Sequence, residues 1–257
     1  MMKSSFRRYC VLSAVAVFLF ASASFAQTTT VTLTGTGDNA TVYNGSSGVY
    51  IDPYTATVGG TTGMSVICDD WANNSYVNEQ WTANVTTVSS QPSGAPMFTG
   101  IGSSPWGTAT QAQLYDALAW LGSQLLANPT NTTNQTVVSF AIWELTSYAN
   151  RTLPKTDTSD PTAFLAGSSQ AGLQGTITAL IQQALGIATS STPFNAQGWQ
   201  ILTPTGASCT SGCPTWPAQE FLVYTPESST IMMVGADLLG LLALAFFLRR
   251  RGLLALN

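Results

Sequence analysis

The stretch Thr110–Leu125, TQAQLYDALAWLGSQL, decides how the rest of the chain is read. It opens on Thr110 with Gln113 three residues on. In this pattern each side chain satisfies the other's backbone N–H at a helix start. Leu114, Leu118, Leu121 and Leu125 then recur at helical spacing and form one apolar stripe. Asn128-Pro129 ends the segment, because the residue before proline is biased away from the helical region. A second helix is predicted over Gln135–Tyr148, with Val138, Ile142 and Leu145 inward, and a third over Leu173–Ile187. Between them, Arg151–Ala163 reads as a polar, proline-containing loop.

Outward from this helical centre the period changes to two. Thr28–Thr36 alternates threonine with Thr, Val, Leu and Gly. Gly48–Val58, Met64–Asp69 and Gln80–Val88 carry β-branched and aromatic residues bounded by Gly, Asn and Pro, and Trp199–Thr203 and Glu220–Tyr224 follow the helices. Strands, then helices, then strands predict an α+β fold, with a mostly antiparallel sheet body and a central group of about three helices. No internal repeat of 20–50 residues is visible.

Composition narrows the function. Of 257 residues only 8% are charged, and Ser plus Thr make up about a quarter. There is no His, which removes Ser-His-Asp and Cys-His catalysis and His-bearing metal sites. Between Gln27 and Thr225 stand ten acidic residues and two basic ones, Arg151 and Lys155, so the body carries a net charge near −8. Nucleic acid is not expected as a partner, because nothing in the body could neutralise a row of phosphates. No cofactor is expected either.

The two ends read as addresses. Lys3, Arg7 and Arg8 precede an apolar core over Val11–Phe20 and a run of mostly small residues to Ala26, predicting a signal peptide over 1–26 cut between Ala26 and Gln27. Such a leader implies the Sec translocon and signal peptidase as partners. Near the other end, Ile231–Leu248 is an 18-residue apolar run followed by Arg249, Arg250 and Arg251. Asp237 within it costs about 2.5–3.5 kcal/mol near a helix centre, while its Leu, Phe, Ile and Val residues together return about 3–6 kcal/mol. A single transmembrane helix over 231–248 is predicted, seated in the inner membrane. The three arginines face the cytoplasm, and 252–257 form a short extension there.

Just before that run stands Pro226-Glu227-Ser228. Motif, apolar helix and arginine cluster, over 226–251, resemble the PEP-CTERM sorting tail of exported bacterial proteins, with Ser228 where the motif has its second proline. Families with this tail have also carried the label ice-binding protein C-terminal domain. The resemblance implies processing by an exosortase-type protease near Pro226-Glu227, and often a role in biofilm or extracellular matrix. The body over 27–225 would then be an exported module.

Within the body, Cys209 and Cys213 flank Thr-Ser-Gly, and in an exported chain this spacing predicts a small disulfide loop. Cys68 is left over and reads as a buried thiol on a strand. Cys68 together with Phe140-Ala141-Ile142-Trp143 also resembles thioester-domain adhesins, which pair an early Cys with a Gln two residues before an Ala-Ile-Trp helix motif. Here that position is Ser139, so the resemblance implies a shared fold without the covalent chemistry. Asp69, Asp70 and Asn73 supply hard oxygens and are a weak calcium candidate. Asp70 with Glu144 would be the acid pair of a glycoside hydrolase only if they faced each other. Thr30, Thr32, Thr34 and Thr36 share one strand face, as an ice-binding row would, and Trp71, Trp81, Trp106 and Trp216 are candidates for stacking on sugar rings. The function expected is a non-enzymatic cell-surface or matrix protein in adhesion or structure, with extracellular polysaccharide as a possible partner. A secreted polysaccharide hydrolase, or a glycan or ice binder, is the alternative.

Overall fold

In the computed structural model, residues 27–88, 96–153, 159–211 and 218–225 are described, with the isolated positions 239, 240 and 246. The expected signal segment, Cys213, Trp216, the motif Pro226, Glu227 and Ser228, the arginines 249–251 and nearly all of the expected membrane helix lie outside the described residues. Among the described residues no helix is long and apolar enough to cross a membrane.

Six strands close into an antiparallel barrel: β1 (Gln27–Gly35), β4 (Tyr54–Val58), β5 (Thr61–Cys68), β10 (Phe221–Tyr224), β9 (Trp199–Ser211) and β6 (Gln80–Thr87), in that spatial order. Period-two alternation explains which side chains fill it. Val31 and Leu33 of β1 point inward, as do Val66 and Cys68, Trp81 and Ala83, Leu202, Phe221 and Val223. The intervening Ile67, Ile201 and Leu222 point the other way, into a second apolar core shared with the helices. The β5–β10–β9 side of the barrel is thus buried on both faces. On β1 the residues out of phase, Thr30 and Thr34, are exposed, so the threonine row is the outer wall of the barrel.

Two short ribbons stand outside the barrel. β2 (Thr41–Asn44) and β3 (Ser47–Tyr50) form a hairpin, and β7 (Gly100–Ile101) pairs with β8 (Ala109–Thr110). The expectation of one strand over Gly48–Val58 is corrected here. The chain breaks at Ile51-Asp52-Pro53, where proline withholds a ladder donor, so β3 stays with the hairpin and β4 enters the barrel.

Among the described residues there are four α-helices, packed as a layer beside the barrel: α1 (Gln111–Ala127), α2 (Thr132–Ser147), α3 (Pro161–Ala166) and α4 (Gln174–Ala188), the last preceded by a 3₁₀ turn over Ala171–Leu173. The reciprocal cap at Thr110 and Gln113 is present, with Gln113 N donating to Thr110 Oγ1 at 3.3 Å and Thr110 N to Gln113 Oε1 at 2.9 Å. α2 is buried on every side from Gln135 to Thr146, the pattern of a helix inside a bundle rather than on its surface. α3 corrects the reading of Arg151–Ala163 as wholly loop. Asp160 accepts from Thr162 N at 2.9 Å, and Pro161 occupies the first helical turn, where its missing N–H costs nothing.

Helix and barrel meet closely at Gly122. A Cβ there would lie 2.6 Å from Trp199 Cη2 and 3.1 Å from Ile67 Cδ1. Alanine would gain about 1 kcal/mol of helix propensity but meet an overpacking penalty of about 1–3 kcal/mol. Gly122→Ala is therefore expected to lower the melting temperature in a thermal scan. An unchanged or raised value would mean that α1 can move off the barrel freely.

Candidate functional site

The end of β5 and the start of β10 carry three acids into the junction between barrel and helices. Glu220 is fully buried and saturated: Oε2 accepts from Met97 N at 2.7 Å and Thr203 Oγ1 at 2.5 Å, and Oε1 accepts from Tyr115 Oη at 2.5 Å. Asp70, equally buried, holds Arg151 bidentately, with Nη1 at 2.6 Å from Oδ1 and Nη2 at 3.1 Å from Oδ2. It also accepts from Ala72 N at 3.0 Å and Asn73 Nδ2 at 2.6 Å. The Arg151 guanidinium lies 5.1 Å from the centroid of the Phe98 ring and donates through Nη2 to Met97 Sδ at 3.0 Å. Asp69 is buried beside this array, and its carboxyl meets no donor among the described residues. Burial, with Glu220 and Asp70 close by, pushes Asp69 well above the usual carboxylate range, and burial raises Glu220 to about 6.

This wiring decides the candidates. The calcium reading of Asp69, Asp70 and Asn73 is corrected: Arg151 already occupies the Asp70 carboxylate, and Asn73 donates to it rather than offering its oxygen alone. Among the described residues no three acidic or cysteine side chains are grouped to hold a metal. Of the Asp70–Glu144 acid pair, Glu144 accepts from Gln174 Nε2 at 2.9 and 3.0 Å while Asp70 is tied to Arg151. Cys68 is 4% exposed inside the barrel. Burial first, then the charges of Asp70 and Asp69, push its thiol well above the ordinary range, which keeps it protonated and non-nucleophilic. Ser139 donates to Ile51 O at 2.6 Å, and Trp143 Nε1 donates to Cys68 O at 3.1 Å. Trp143 therefore meets the backbone of Cys68. Cys209 lies on β9 with its backbone opposite Trp81, and the expected bond to Cys213 falls outside the described residues. Trp81 is core, Trp106 packs on Tyr148 at 5.1 Å, and Trp71 opens onto a cleft.

That cleft has a volume of about 320 Å³ and lies between the β2–β3 hairpin, the β5–β6 loop and α2. Tyr50 and Tyr54 come from the strand side, with ring centroids 6.4 Å apart at 79°. Trp71 and Trp143 come from the helix side, 5.2 Å apart. Trp71 is pinned by Nε1, which donates to Ser159 O at 3.1 Å and Oγ at 3.0 Å, and by Phe164 at 5.4 Å. The loop carrying it is clamped at both ends, at one by Asp70 and at the other by Glu79, whose Oε2 accepts from Tyr76 N at 2.7 Å. Asn74, Ser75, Tyr76 and Gln219 complete the lining, and none of its side chains is charged. Sequence reading singled out Trp71 and, separately, Trp143, but not Tyr50, Tyr54 or Gln219, which lie 17 to 148 residues from Trp71 along the chain.

No protein-family model matches the chain, and no curated protein matches it in sequence. Among solved structures it is similar to the N-terminal thioester domain of the fibronectin-binding protein SfbI from Streptococcus pyogenes. The likeness has a TM-score of 0.35 and 13% identity, covering 72% of this chain and 93% of that one.

Two outcomes follow from the junction. Arg151→Ala leaves Asp70 charged, buried and unpaired, a change that costs about 3–5 kcal/mol in comparable sites. Arg151→Lys should recover little, since an ammonium lacks the bidentate fork. Chemical denaturation of the two variants checks this, and equal stability of wild type and Arg151→Ala would refute it. Second, Asp52, Asp69, Glu79, Asp116, Glu144 and Glu220 are all raised, chiefly by burial, with Asp116 and Glu220 at about 6. The folded state thus binds protons more tightly than the unfolded chain. This contribution is complete below the unfolded values near 4 and is lost as pH rises through about 6. The urea midpoint is expected to fall between about pH 5 and pH 8, less steeply in Asp69→Asn; a midpoint rising over that interval would contradict the assignment.

Proposed function

We propose that this chain is an exported, non-enzymatic surface or extracellular-matrix protein whose α+β body acts in adhesion or structure. The Sec translocon and signal peptidase would deliver and trim it, leaving Gln27 first. The apolar run 231–248 would tether it in the inner membrane with Arg249, Arg250 and Arg251 inside. An exosortase-type protease would act at Pro226-Glu227-Ser228 and pass the body to the envelope or the medium.

One observation carries the non-enzymatic part of this reading. The chemistry-bearing groups of the body are committed to holding it together: Cys68 in the barrel, Asp70 on Arg151, Glu144 on Gln174, Glu220 on three donors. The surface offered to solvent beside them is aromatic and amide-rich, which suits recognition rather than acid–base chemistry. Low charge with an acidic balance suits a protein that must stay soluble at a crowded, anionic envelope.

Intact-mass measurement of the protein recovered from envelope and medium tests the routing. The expected species begins at Gln27 and ends near Pro226. A product retaining residues 241–251 would make the tail a permanent anchor, and a full-length cytosolic chain would overturn export.

A further inference from the structure

We infer that the cleft between Tyr50, Tyr54, Trp71 and Trp143 is a binding site for a neutral, hydroxyl-rich polysaccharide. This rests on the adhesive reading above and gives it a ligand class and an address.

Three observations carry it. The first is surface chemistry. Aromatic faces stack on the C–H face of a sugar ring, and adjacent amides and hydroxyls satisfy its equatorial oxygens. Tyr50 and Tyr76 remain 40% and 49% exposed, so both rings are open to a ligand. The second is unspent hydrogen-bonding capacity. Gln219 is nine-tenths buried, and its Nε2 donates to Asp70 O at 2.8 Å, while its N donates to Ser75 Oγ at 3.1 Å. That leaves Gln219 Oε1 as an acceptor at the cleft, with the Ser75 hydroxyl and the exposed Asn74 amide as donors. The third is preorganisation. The loop bearing Trp71 to Tyr76 is fixed by Asp70 and Glu79, and its ring by Ser159, so little order need be gained on binding.

Charge selects the class. The lining has no charged side chain, and the one cation among the described residues, Arg151, is consumed by Asp70. A polyanion would meet an acidic body with nothing to receive it, so a neutral chain is favoured over sulfated or uronic polymers. A larger cleft of about 590 Å³ beside Trp199 is less suited. Its Asn195 Oδ1 already accepts from Gln197 N at 3.1 Å, and its Ser123 hydroxyl donates to Trp120 O at 2.6 Å.

The test uses the full chain purified in detergent. It is mixed with insoluble cellulose and mannan, soluble xylan and dextran, polyanionic alginate, and a proline-rich peptide as the competing aromatic-groove ligand. The expected result is retention by at least one neutral polysaccharide, with a change in tryptophan emission on binding. Tyr50→Ala/Tyr76→Ala and, separately, Asn74→Ala should each weaken that binding about tenfold with unchanged melting temperature. Asn74 is exposed, so its truncation keeps the test intact if the double variant folds poorly. No binding to any neutral polymer, preference for alginate or the peptide, or wild-type affinity in Asn74→Ala would overturn the site. None of these results would disturb the routing measured by mass, so the two readings fail independently.

Discussion

The Asp70–Arg151 pair is the constraint on which the helix–barrel junction depends. An acidic body with two cations spends one of them, buried to 7% exposure, on a carboxylate that is wholly buried. The pair joins the end of β5 to the segment after α2, and the Arg151 backbone also bridges Phe98. The loop 96–101, the β5–β6 turn and the C-terminal end of α2 therefore share one anchor. Buried ion pairs are seldom a net gain over well-packed apolar residues, and their best-attested use is to fix one arrangement among several. Here the arrangement fixed is the seat of Trp71, the residue after Asp70, and with it one side of the aromatic cleft.

Around that anchor the fold solves a two-sided packing problem. β5, β9 and β10 must satisfy a barrel interior and a helical layer at once, and period-two alternation lets consecutive residues such as Val66 and Ile67 serve the two cores. Glu220 sits where the layers touch and collects donors from a loop, a helix and a neighbouring strand. A polar group there is tolerated because it is satisfied, whereas Asp69 beside it is pushed well above the usual carboxylate range by burial and by its acidic neighbours.

Local rules made much of this legible beforehand. The capping pattern at Thr110, the leucine spacing of α1 and the alternation of β1 act over a few residues and were read correctly. α2 was placed within three residues at its start, but its all-round burial was hidden, because Ser139, Thr136 and Glu144 look like a solvent face until their partners Ile51, Thr132 and Gln174 are known. The short helix α3 was missed although Asp160-Pro161 carries a cap and a first-turn proline; its six residues present too little periodicity. Barrel closure could not be read, since it rests on pairings such as Val31 with both Val58 and Trp81. The site shows the same divide. Asp70 looked like a metal ligand because its oxygens were visible and its cation, 81 residues on, was not.

Cys68 has a consequence for how the fold meets oxidants. Disulfide exchange needs a thiolate that a partner sulfur can reach. Sealed in the barrel beside Trp81 and Phe221, and held protonated by burial and neighbouring acids, this sulfur offers neither. An unpaired cysteine in that seat is shielded from exchange by kinetics rather than by a mate, and the barrel's closure becomes its antioxidant.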